Sequence, residues 1–289
     1  ALLSYQQFQG LAAAKETPEY KNRNYNMAYS YFKLKEYDQA GNYFQNQIDN
    51  SKEDKIRLND SYLRLADCRF VTSKYISALE AYNKVIELKS VDADYAYFQK
   101  AICYGFVSKN DKKSEELNAF LQLYPKSEYR DDAFFELGNT YVAENKQDLA
   151  IKTYDKLNAE FKNGSFTSKA ILRQGLVYYN ADKDEQALVK LKKVAADFPK
   201  TPEALEAVST ARLIYVDNGR VDEYATWVRT LDFVAVTDAE LDNDTYEAAE
   251  KQYLQNNTKQ AITGFSGYVS KFPRGIHSLK ANFYLAQLY

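Results

Sequence analysis

The chain has 289 residues, of which 45% are hydrophobic and 27% are charged, and its formal net charge is −2. These values are typical of a folded soluble protein and lack the strong basic excess of a general nucleic-acid-binding protein. Five Pro and ten Gly leave little material for β-sandwiches or barrels, and two Cys predict no disulfide framework. No stretch approaches the roughly 18 apolar residues that a membrane-spanning helix needs.

One sequence position recurs at intervals of 36 to 39 residues along the whole chain. It is occupied in turn by Ala1, Ala40, Ala78, Ser114, Ala150, Ala187, Tyr224 and Ala261. A second small position keeps the same register, at Ala28, Ala66, Gly138, Gly175, Ala249 and Ala286. In two units this position holds a larger residue instead, Ile102 in one and Arg212 in the other. Because antiparallel helices approach closely only where a side chain is small, the repeat predicts a series of antiparallel helix pairs.

Further signals in each unit agree with helix pairs. Aromatic rings are predicted to fill the space between one pair and the next, at Tyr31, Phe44, Tyr141, Tyr154 and Phe265. Second helices are predicted to end at three aromatic–proline pairs, Tyr124-Pro125, Phe198-Pro199 and Phe272-Pro273. Thr201 followed by Pro202 predicts the start of a first helix. Asp244 with Glu247 predicts a capping box that opens a later one.

This pattern resembles the tetratricopeptide repeat over essentially the whole chain, with units slightly longer than the family's roughly 34 residues. The resemblance implies an all-α, right-handed superhelical solenoid of antiparallel helix pairs with about 16 helices. We expect a single solenoid domain over residues 1–289. Its units are a half repeat at 1–20, full repeats at about 21–58, 59–94, 95–130, 131–167, 168–204, 205–241 and 242–278, and a half repeat at 279–289. Because the chain begins in a second helix and ends in an apolar first helix, we expect a fragment of a longer repeat protein, the alternative being that disordered ends are missing.

The sequence carries no recognisable catalytic motif. It has no glycine-rich phosphate loop, no zinc-protease motif and no nucleophile elbow. His277, the single histidine, lies in a predicted turn between repeats. We therefore expect a protein that is not an enzyme and that has no catalytic, cofactor-binding or metal-binding residues.

Three further features are interpreted as structural. Cys68 and Cys103 are expected to be buried free thiols, the alternatives being a bridge, a metal site or a redox pair. The apolar run at 233–236 is expected to pack under the next repeat, the alternative being an exposed contact. Helix capping is the interpretation for three acidic residues whose spacing does not fit a calcium loop, Asp238, Asp242 and Asp244.

Solenoids of the tetratricopeptide type present a concave face of first helices, where the family commonly binds peptides or helices. The resemblance therefore implies a partner-binding face. We predict that its residues are Tyr25, Tyr29, Phe32, Lys33, Leu63, Asp67, Phe70, Gln99, Phe106, Phe135, Asn139, Leu172, Leu176 and Tyr179, with Asp60 and Val142 beside them. Aromatic anchors among polar residues are typical of interface hot spots. The alternative is that these rings pack against one another.

Two subfamilies can be compared with this sequence. Chaperone-binding members grip a carboxylate with Lys, Arg and Asn, and the matching positions here hold Tyr25, Tyr29, Leu63, Asp67, Gln99 and Cys103. That function is therefore not expected. Residues 123–133, LYPKSEYRDDA, followed by 136–138, ELG, resemble bacterial envelope repeat proteins. These are the periplasmic coordinator of the Tol-Pal system and the lipoprotein of outer-membrane barrel assembly. This resemblance implies a periplasmic or outer-membrane-associated location in a bacterium.

The leading hypothesis is a non-catalytic scaffold that binds a peptide or helical segment of a partner protein, in bacterial envelope assembly. The partner is expected to be a protein or peptide, without nucleic acid and without a direct membrane span, and self-association stays open. A second hypothesis is a rigid spacer arm. A third is an accessory domain of a larger protein whose catalytic part lies elsewhere.

Overall fold

The structure is a computed structural model that describes residues 2–50, 54–89 and 91–289. Over these residues the regular structure is entirely helical, with 16 α-helices and no strand, which confirms the predicted fold class. The α-helices are α1 (Leu2–Gly10), α2 (Arg23–Lys33), α3 (Tyr37–Asn50), α4 (Lys55–Val71), α5 (Tyr75–Glu87), α6 (Ala93–Phe106), α7 (Asn110–Leu123), α8 (Arg130–Ala143), α9 (Gln147–Glu160), α10 (Thr167–Tyr179), α11 (Asp184–Asp197), α12 (Pro202–Asp217), α13 (Val221–Val228), α14 (Asp238–Leu254), α15 (Thr258–Lys271) and α16 (Ser278–Leu288). Two short 3-10 helices, Ala12–Glu16 and Pro18–Asn22, lie between α1 and α2.

The chain divides into two compact units. Unit 1 ends at Thr153 and unit 2 begins at Tyr154, within α9. In unit 1, α2 to α7 each pack against the next helix in the chain, and α10 to α15 do the same in unit 2. The prediction of one continuous solenoid with seven full repeats stays a prediction. In the described part of the chain, no helix combines the length and the apolar character that crossing a membrane requires.

The recurring second-helix position is buried wherever it is described. Its occupants, none more than 6% exposed, are Ala40, Ala78, Ser114, Ala150, Ala187, Tyr224 and Ala261. Ala1 lies outside the described residues. On the first helices, a Cβ atom at Gly175 would lie 2.8 Å from a methyl group of Leu191 on the paired helix. Small residues are therefore needed there because the paired helices are in direct contact.

Large aromatic and aliphatic side chains fill the space between the helix pairs. Phe44 and Phe265 are fully buried, as predicted, and Tyr31 stacks on Tyr43 at a ring distance of 5.4 Å. Arg212, a departure from the small position, uses its guanidinium in a bidentate pair with the fully buried Asp244 of the next first helix. An ion pair thus binds the large charged side chain that replaces a small residue at this position.

Most helix ends agree with the sequence signals. The helices α7, α11 and α15 stop just before the aromatic–proline pairs. The hydroxyl of Thr201 accepts a hydrogen bond from the backbone N–H of Ala204 at 3.2 Å, which confirms this N-cap.

The predicted capping box at Asp244 and Glu247 is wrong. Helix α14 begins earlier, at Asp238, and its capping box joins Thr237 with Glu240. The backbone N–H of Glu240 donates to the Thr237 hydroxyl at 3.2 Å, and the Thr237 N–H donates to the Glu240 carboxylate at 2.7 Å. The physical reason is that residue 237 is extended and free to cap, whereas Asp244 lies inside the helix.

The loop before α14 packs inward. Phe233, Val234 and Val236 are partly buried against the hydrophobic core of unit 2. This confirms that the apolar run at 233–236 packs under its neighbours. The run follows α13, which has only eight residues, whereas the other second helices from α3 to α15 have 13 or 14. The loop therefore covers core that a longer α13 would otherwise cover.

The turn after each first helix contains a residue in the left-handed region. Their φ angles lie between 54° and 68°, and the residues are Lys35, Ser73, Ser108, Asn145, Asp182, Gly219 and Asn256. The repetition shows that one turn geometry links first and second helices throughout the described chain. This backbone conformation is unfavourable for a residue with a Cβ atom, whereas glycine adopts it readily.

Two glycine-to-alanine changes in unit 2 should have opposite effects on stability. Gly219→Ala should lower the free energy of unfolding by about 1 kcal/mol, because φ is +68° there. Gly267→Ala should raise it by about 0.5–1 kcal/mol, because Gly267 lies inside α15. An added Cβ would meet no atom within 4 Å at either site, so a steric clash contributes to neither change in stability. Urea denaturation followed by circular dichroism measures both; shifts of the same sign would contradict the turn argument.

Candidate functional site

The first-helix residues predicted to bind a partner differ in burial. Leu63 is 2% exposed and Leu172 is 4% exposed, and each belongs to the hydrophobic core of its unit. The expectation that these two line an accessible face is therefore corrected. The reason is that neighbouring helices close over both positions. Asp67, at 9% exposed, is also buried.

The other predicted residues keep part of their surface accessible. Phe106 is 55% exposed and Lys33 is exposed. The partly exposed members are Tyr25, Tyr29, Phe32, Phe70, Gln99, Phe135, Asn139, Leu176 and Tyr179. In unit 2, Leu176 and Tyr179 pack against the core cluster. The accessible aromatic residues with polar neighbours are thus concentrated in unit 1, and their role in binding stays a prediction.

The two tyrosines of α2 are fixed by one carboxylate. Tyr25 Oη donates to Asp60 Oδ2 at 2.8 Å, and Tyr29 Oη donates to the same oxygen at 2.6 Å. Arg64 Nε in turn donates to Tyr29 Oη at 3.2 Å. Burial and the hydrogen bonds to Asp60 raise the pKa of both tyrosines. The hydroxyls are therefore already bound, and the rings present fixed surfaces.

Asp67 joins three consecutive helices. Its Oδ1 accepts hydrogen bonds from Tyr82 Oη at 2.9 Å and Tyr95 Oη at 3.1 Å, and its Oδ2 accepts from Arg64 Nη1 at 2.9 Å. Burial raises the pKa of Asp67, while the three donors oppose that shift. Asp67 was predicted to face a partner, but its oxygens point into this internal network. Its burial therefore gives it a structural role between α4, α5 and α6.

Five rings lie at the turn ends of the first and second helices of unit 1, and we call them the aromatic edge: Phe32, Tyr37, Phe70, Tyr75 and Phe106. Phe32 meets Tyr37 edge-on at 5.4 Å between ring centroids. Tyr75 and Phe106 are stacked at 4.6 Å, and Phe70 meets both edge-on. The contact between Phe70 and Phe106 joins two successive repeats, so Phe70, Tyr75 and Phe106 form a continuous surface, beside which Phe32 and Tyr37 form a separate pair.

Exposed aliphatic residues extend the aromatic edge. Leu34 is 56% exposed and Val71 is 55% exposed, and each follows or ends a first helix at this edge. An ion pair of 2.7 Å between Lys74 and Asp38 joins two successive turns there. Exposed apolar residues at one edge of the helices are candidates for an interaction surface.

Each unit contains a cavity, of about 620 Å³ in unit 1 and about 570 Å³ in unit 2. In unit 1 the cavity between α1 and α2, which we call the α1–α2 cavity, measures about 620 Å³. Its lining residues are Leu2, Leu3, Tyr5, Tyr25, Asn26, Tyr29, Ser30, Lys33 and Leu34. Sequence reasoning found Tyr25, Tyr29 and Lys33 but missed the wall from α1, because an isolated half repeat gives no signal of what it faces.

The cavity of unit 2 measures about 570 Å³ and lies among the start of α13, α14 and α15. Small residues form much of its lining, including Ala248, Gly264 and Gly267. At Gly264 an added Cβ would lie 2.8 Å from the Cβ of Ala249, so α14 and α15 touch there. This cavity could not be predicted from the sequence, because its lining residues carry no motif.

The two cysteines and the histidine occupy structural positions. Cys68 and Cys103 are buried free thiols, as expected, and burial raises the pKa of each to about 12. A thiol with such a pKa is a poor nucleophile at neutral pH. His277 stacks on Tyr246 at 4.2 Å, and its Nε2 lies 3.0 Å from Asn243 Oδ1, in the turn before α16. The interpretation of His277 as a turn residue is confirmed.

All three aspartates interpreted as caps lie within α14, whose N-cap is Thr237. Asp242 Oδ1 accepts from Tyr268 Oη at 2.5 Å, and its Oδ2 accepts from the backbone N–H of Ile276 at 3.0 Å. Asp244 pairs with Arg212. Capping is therefore wrong for these two residues, because both are buried and bind neighbouring elements. The described residues contain no group of three His, Cys, Asp or Glu side chains that could hold a metal ion.

Comparison with known proteins agrees with this geometry. A family model described as tetratricopeptide repeat matches residues 24–50, 132–164 and 169–201. The matched segments coincide with α2–α3, α8–α9 and α10–α11. These three segments of the chain are similar to the tetratricopeptide repeat. No curated protein matches the sequence.

Several solved structures, among them two of tetratricopeptide-repeat proteins, are similar in fold. A repeat protein from Parabacteroides merdae is 12% identical with a TM-score of 0.57, covering 93% of this chain and 98% of its own. YrrB, described as having an unusual peptide-binding site, is 17% identical with a TM-score of 0.52, covering 72% of this chain and 98% of its own. MamA from Desulfovibrio magneticus is 15% identical with a TM-score of 0.52, and the match covers 63% of this chain and 97% of MamA. At these identities the likeness shows the repeat fold alone.

Removing the carboxylate of Asp67 should strongly destabilise unit 1. Asp67→Ala leaves the hydroxyls of Tyr82 and Tyr95 and the guanidinium of Arg64 without their acceptor. We expect the free energy of unfolding to fall by about 2–4 kcal/mol, measured by chemical denaturation. The control is Asp38→Ala, which breaks an exposed ion pair with Lys74 and should cost less than about 1 kcal/mol. Equal losses in the two variants would contradict the structural role of Asp67.

Proposed function

We propose that the chain is a non-catalytic scaffold that binds a segment of a partner protein on the first-helix face of unit 1. The observation that carries this proposal is the aromatic edge. Its rings touch across successive repeats, yet Phe106 remains 55% exposed. Covering the exposed side chains of Phe106, Leu34 and Val71 with a partner would remove apolar surface from water, which is favourable.

The fixed positions of Tyr25 and Tyr29 also support the proposal of a binding face on the first helices of unit 1. Asp60 and Arg64 hold the hydroxyls of Tyr25 and Tyr29, so these rings lose little rotamer freedom when a partner binds. Aromatic anchors held in place by hydrogen bonds are typical of binding hot spots. The near-balanced charge of −2 supports a protein partner over a nucleic acid. A peptide-binding site is described for YrrB, a protein of similar fold.

Truncating Phe106 should weaken partner capture without unfolding the chain. We expect Phe106→Ala to lower the amount of partner recovered by a crosslinking pull-down from the source cell by about tenfold, as for a hot-spot ring. The control is Val91→Ser, an exposed apolar residue at the other end of α6, which should capture the partner as well as the unmodified chain. Equal recovery by the Phe106 variant and the control, with both folded by circular dichroism, would remove the aromatic edge from the binding face.

A place in the bacterial envelope is a separate part of the proposal. It is supported by the resemblance of residues 123–138 to envelope repeat proteins. These residues contain the loop after α7 and the start of α8, where Ser127 Oγ donates to Asp94 Oδ2 at 2.6 Å. Fractionation of the source cell that expresses the tagged full-length protein tests the location. Recovery with the periplasm or outer membrane is expected, and recovery with the cytosol alone would contradict it.

A further inference from the structure

We infer that the α1–α2 cavity receives a carboxylate of the partner segment, flanked by apolar side chains, with Lys33 as the cation that anchors it. This inference rests on the proposed function, because Tyr25, Tyr29 and Lys33 belong both to the cavity and to the predicted binding face. It names a class of partner segment: acidic and apolar residues side by side, rather than basic or purely apolar ones.

The size and walls of the cavity fit a short stretch of polypeptide. Its volume of about 620 Å³ lies within the range of roughly 300–1,000 Å³ typical of ligand sites. Leu2, Leu3 and Leu34 supply aliphatic surface, and the rings of Tyr25 and Tyr29 supply aromatic surface. Such walls favour apolar side chains, because covering them removes carbon surface from water.

The charge of the lining decides the chemistry of the segment. Lys33 carries the only formal charge among the nine lining residues. It is exposed and, within the described part of the chain, lies in no ion pair. As the last residue of α2 it also lies at the end where the helix dipole favours a cation.

Three hydroxyls of the cavity, those of Tyr25, Tyr29 and Ser30, already donate hydrogen bonds within the protein. The hydroxyls of Tyr25 and Tyr29 already donate to Asp60, and Ser30 Oγ donates to the backbone carbonyl of Asn26 at 2.9 Å. Asp60 is itself held by these tyrosines and lies 3.5 Å from Arg64. A basic partner group would therefore meet the Lys33 ammonium without an accessible carboxylate in the lining, which disfavours it.

Asn26 gives the site a second contact. It lies seven residues before Lys33 on α2, which is two helical turns and about 10 Å along the axis. In the described structure its side-chain amide has no hydrogen-bond partner, so it offers both a donor and an acceptor. We expect Asn26 to bind main-chain groups of a segment whose carboxylate reaches Lys33.

The test uses a phage library of random dodecapeptides selected against the purified chain, against Lys33→Met and against Lys35→Met. Lys35 is the matched control, because it is exposed on the same turn but does not line the cavity. The unmodified chain and Lys35→Met should both enrich peptides with Asp or Glu beside Leu, Ile or Phe. The Lys33→Met variant should lose the preference for Asp and Glu.

A binding titration then measures the contribution of the carboxylate. A selected peptide, labelled for fluorescence polarisation, should bind Lys33→Met about fivefold more weakly, and its Glu→Gln or Asp→Asn form should show the same loss against the unmodified chain. In Lys33→Met the two peptide forms should bind alike, since the charge pair is already absent.

The outcomes separate the inference from the proposed function. Selected peptides without acidic residues, or equal binding by Lys33→Met and Lys35→Met, would overturn the carboxylate inference while leaving a peptide-binding scaffold in place. If the folded chain enriches no peptide at all, both the inference and the proposed binding of a partner segment fail. Circular dichroism of the three proteins shows that each bait is folded.

Discussion

Close contact between neighbouring helices at small side chains is the constraint on which the rest of the structure depends. At Gly175 and Gly264 an added Cβ atom would come within 2.8 Å of the paired helix. Alanines such as Ala40 and Ala261 are fully buried at the equivalent contacts of the second helices. Because each contact fixes how far apart two helices lie, it also determines how much space remains for large rings. The interval between small residues therefore sets the spacing of the helix pairs.

Buried aspartates provide a second level of order, since they join helices that would otherwise meet only through apolar contacts. Asp67 binds Tyr82, Tyr95 and Arg64, while Asp242 binds Tyr268 and a backbone N–H of the following turn. A buried carboxylate is costly unless donors surround it, so each network stabilises only the arrangement that brings its donors together. At Gly275 this crowding is direct, because an added Cβ would lie 2.7 Å from Asp242 Oδ2. These networks specify geometry more than they add stability.

The proposed binding surfaces are those that the contacts between helices do not bury. In unit 1 the core fixes Tyr25 and Tyr29 through Asp60, but the aromatic edge and the α1–α2 cavity still present apolar surface. A rigid face with fixed rings loses little entropy when a flexible segment binds. In the proposed site, the charge of Lys33 would distinguish acidic from basic segments. The proposed scaffold function thus relies on the parts of the helices that the packing of the repeats does not cover.

How much the sequence could reveal depended on how local each feature is. The repeat interval, the helical class and the helix ends at Thr201 and the proline pairs were predictable, because small residues, capping side chains and proline act on their immediate neighbours. For the same reason, the accessible rings of the aromatic edge could be named in part: Phe32, Phe70 and Phe106 fall at a fixed position of each first helix.

Features that join distant residues needed the tertiary structure. Leu63 and Asp67 have the same helical register as accessible residues, and only the packing of α4 against α5 and α6 buries them. The pairing of Arg212 with Asp244 spans 32 residues, so the sequence suggested a cap where there is an ion pair. The sequence by itself determined the repeat and its helices, because periodic small and apolar residues encode local packing. The tertiary structure decided which side chains remain accessible, because burial depends on neighbours that come from other repeats.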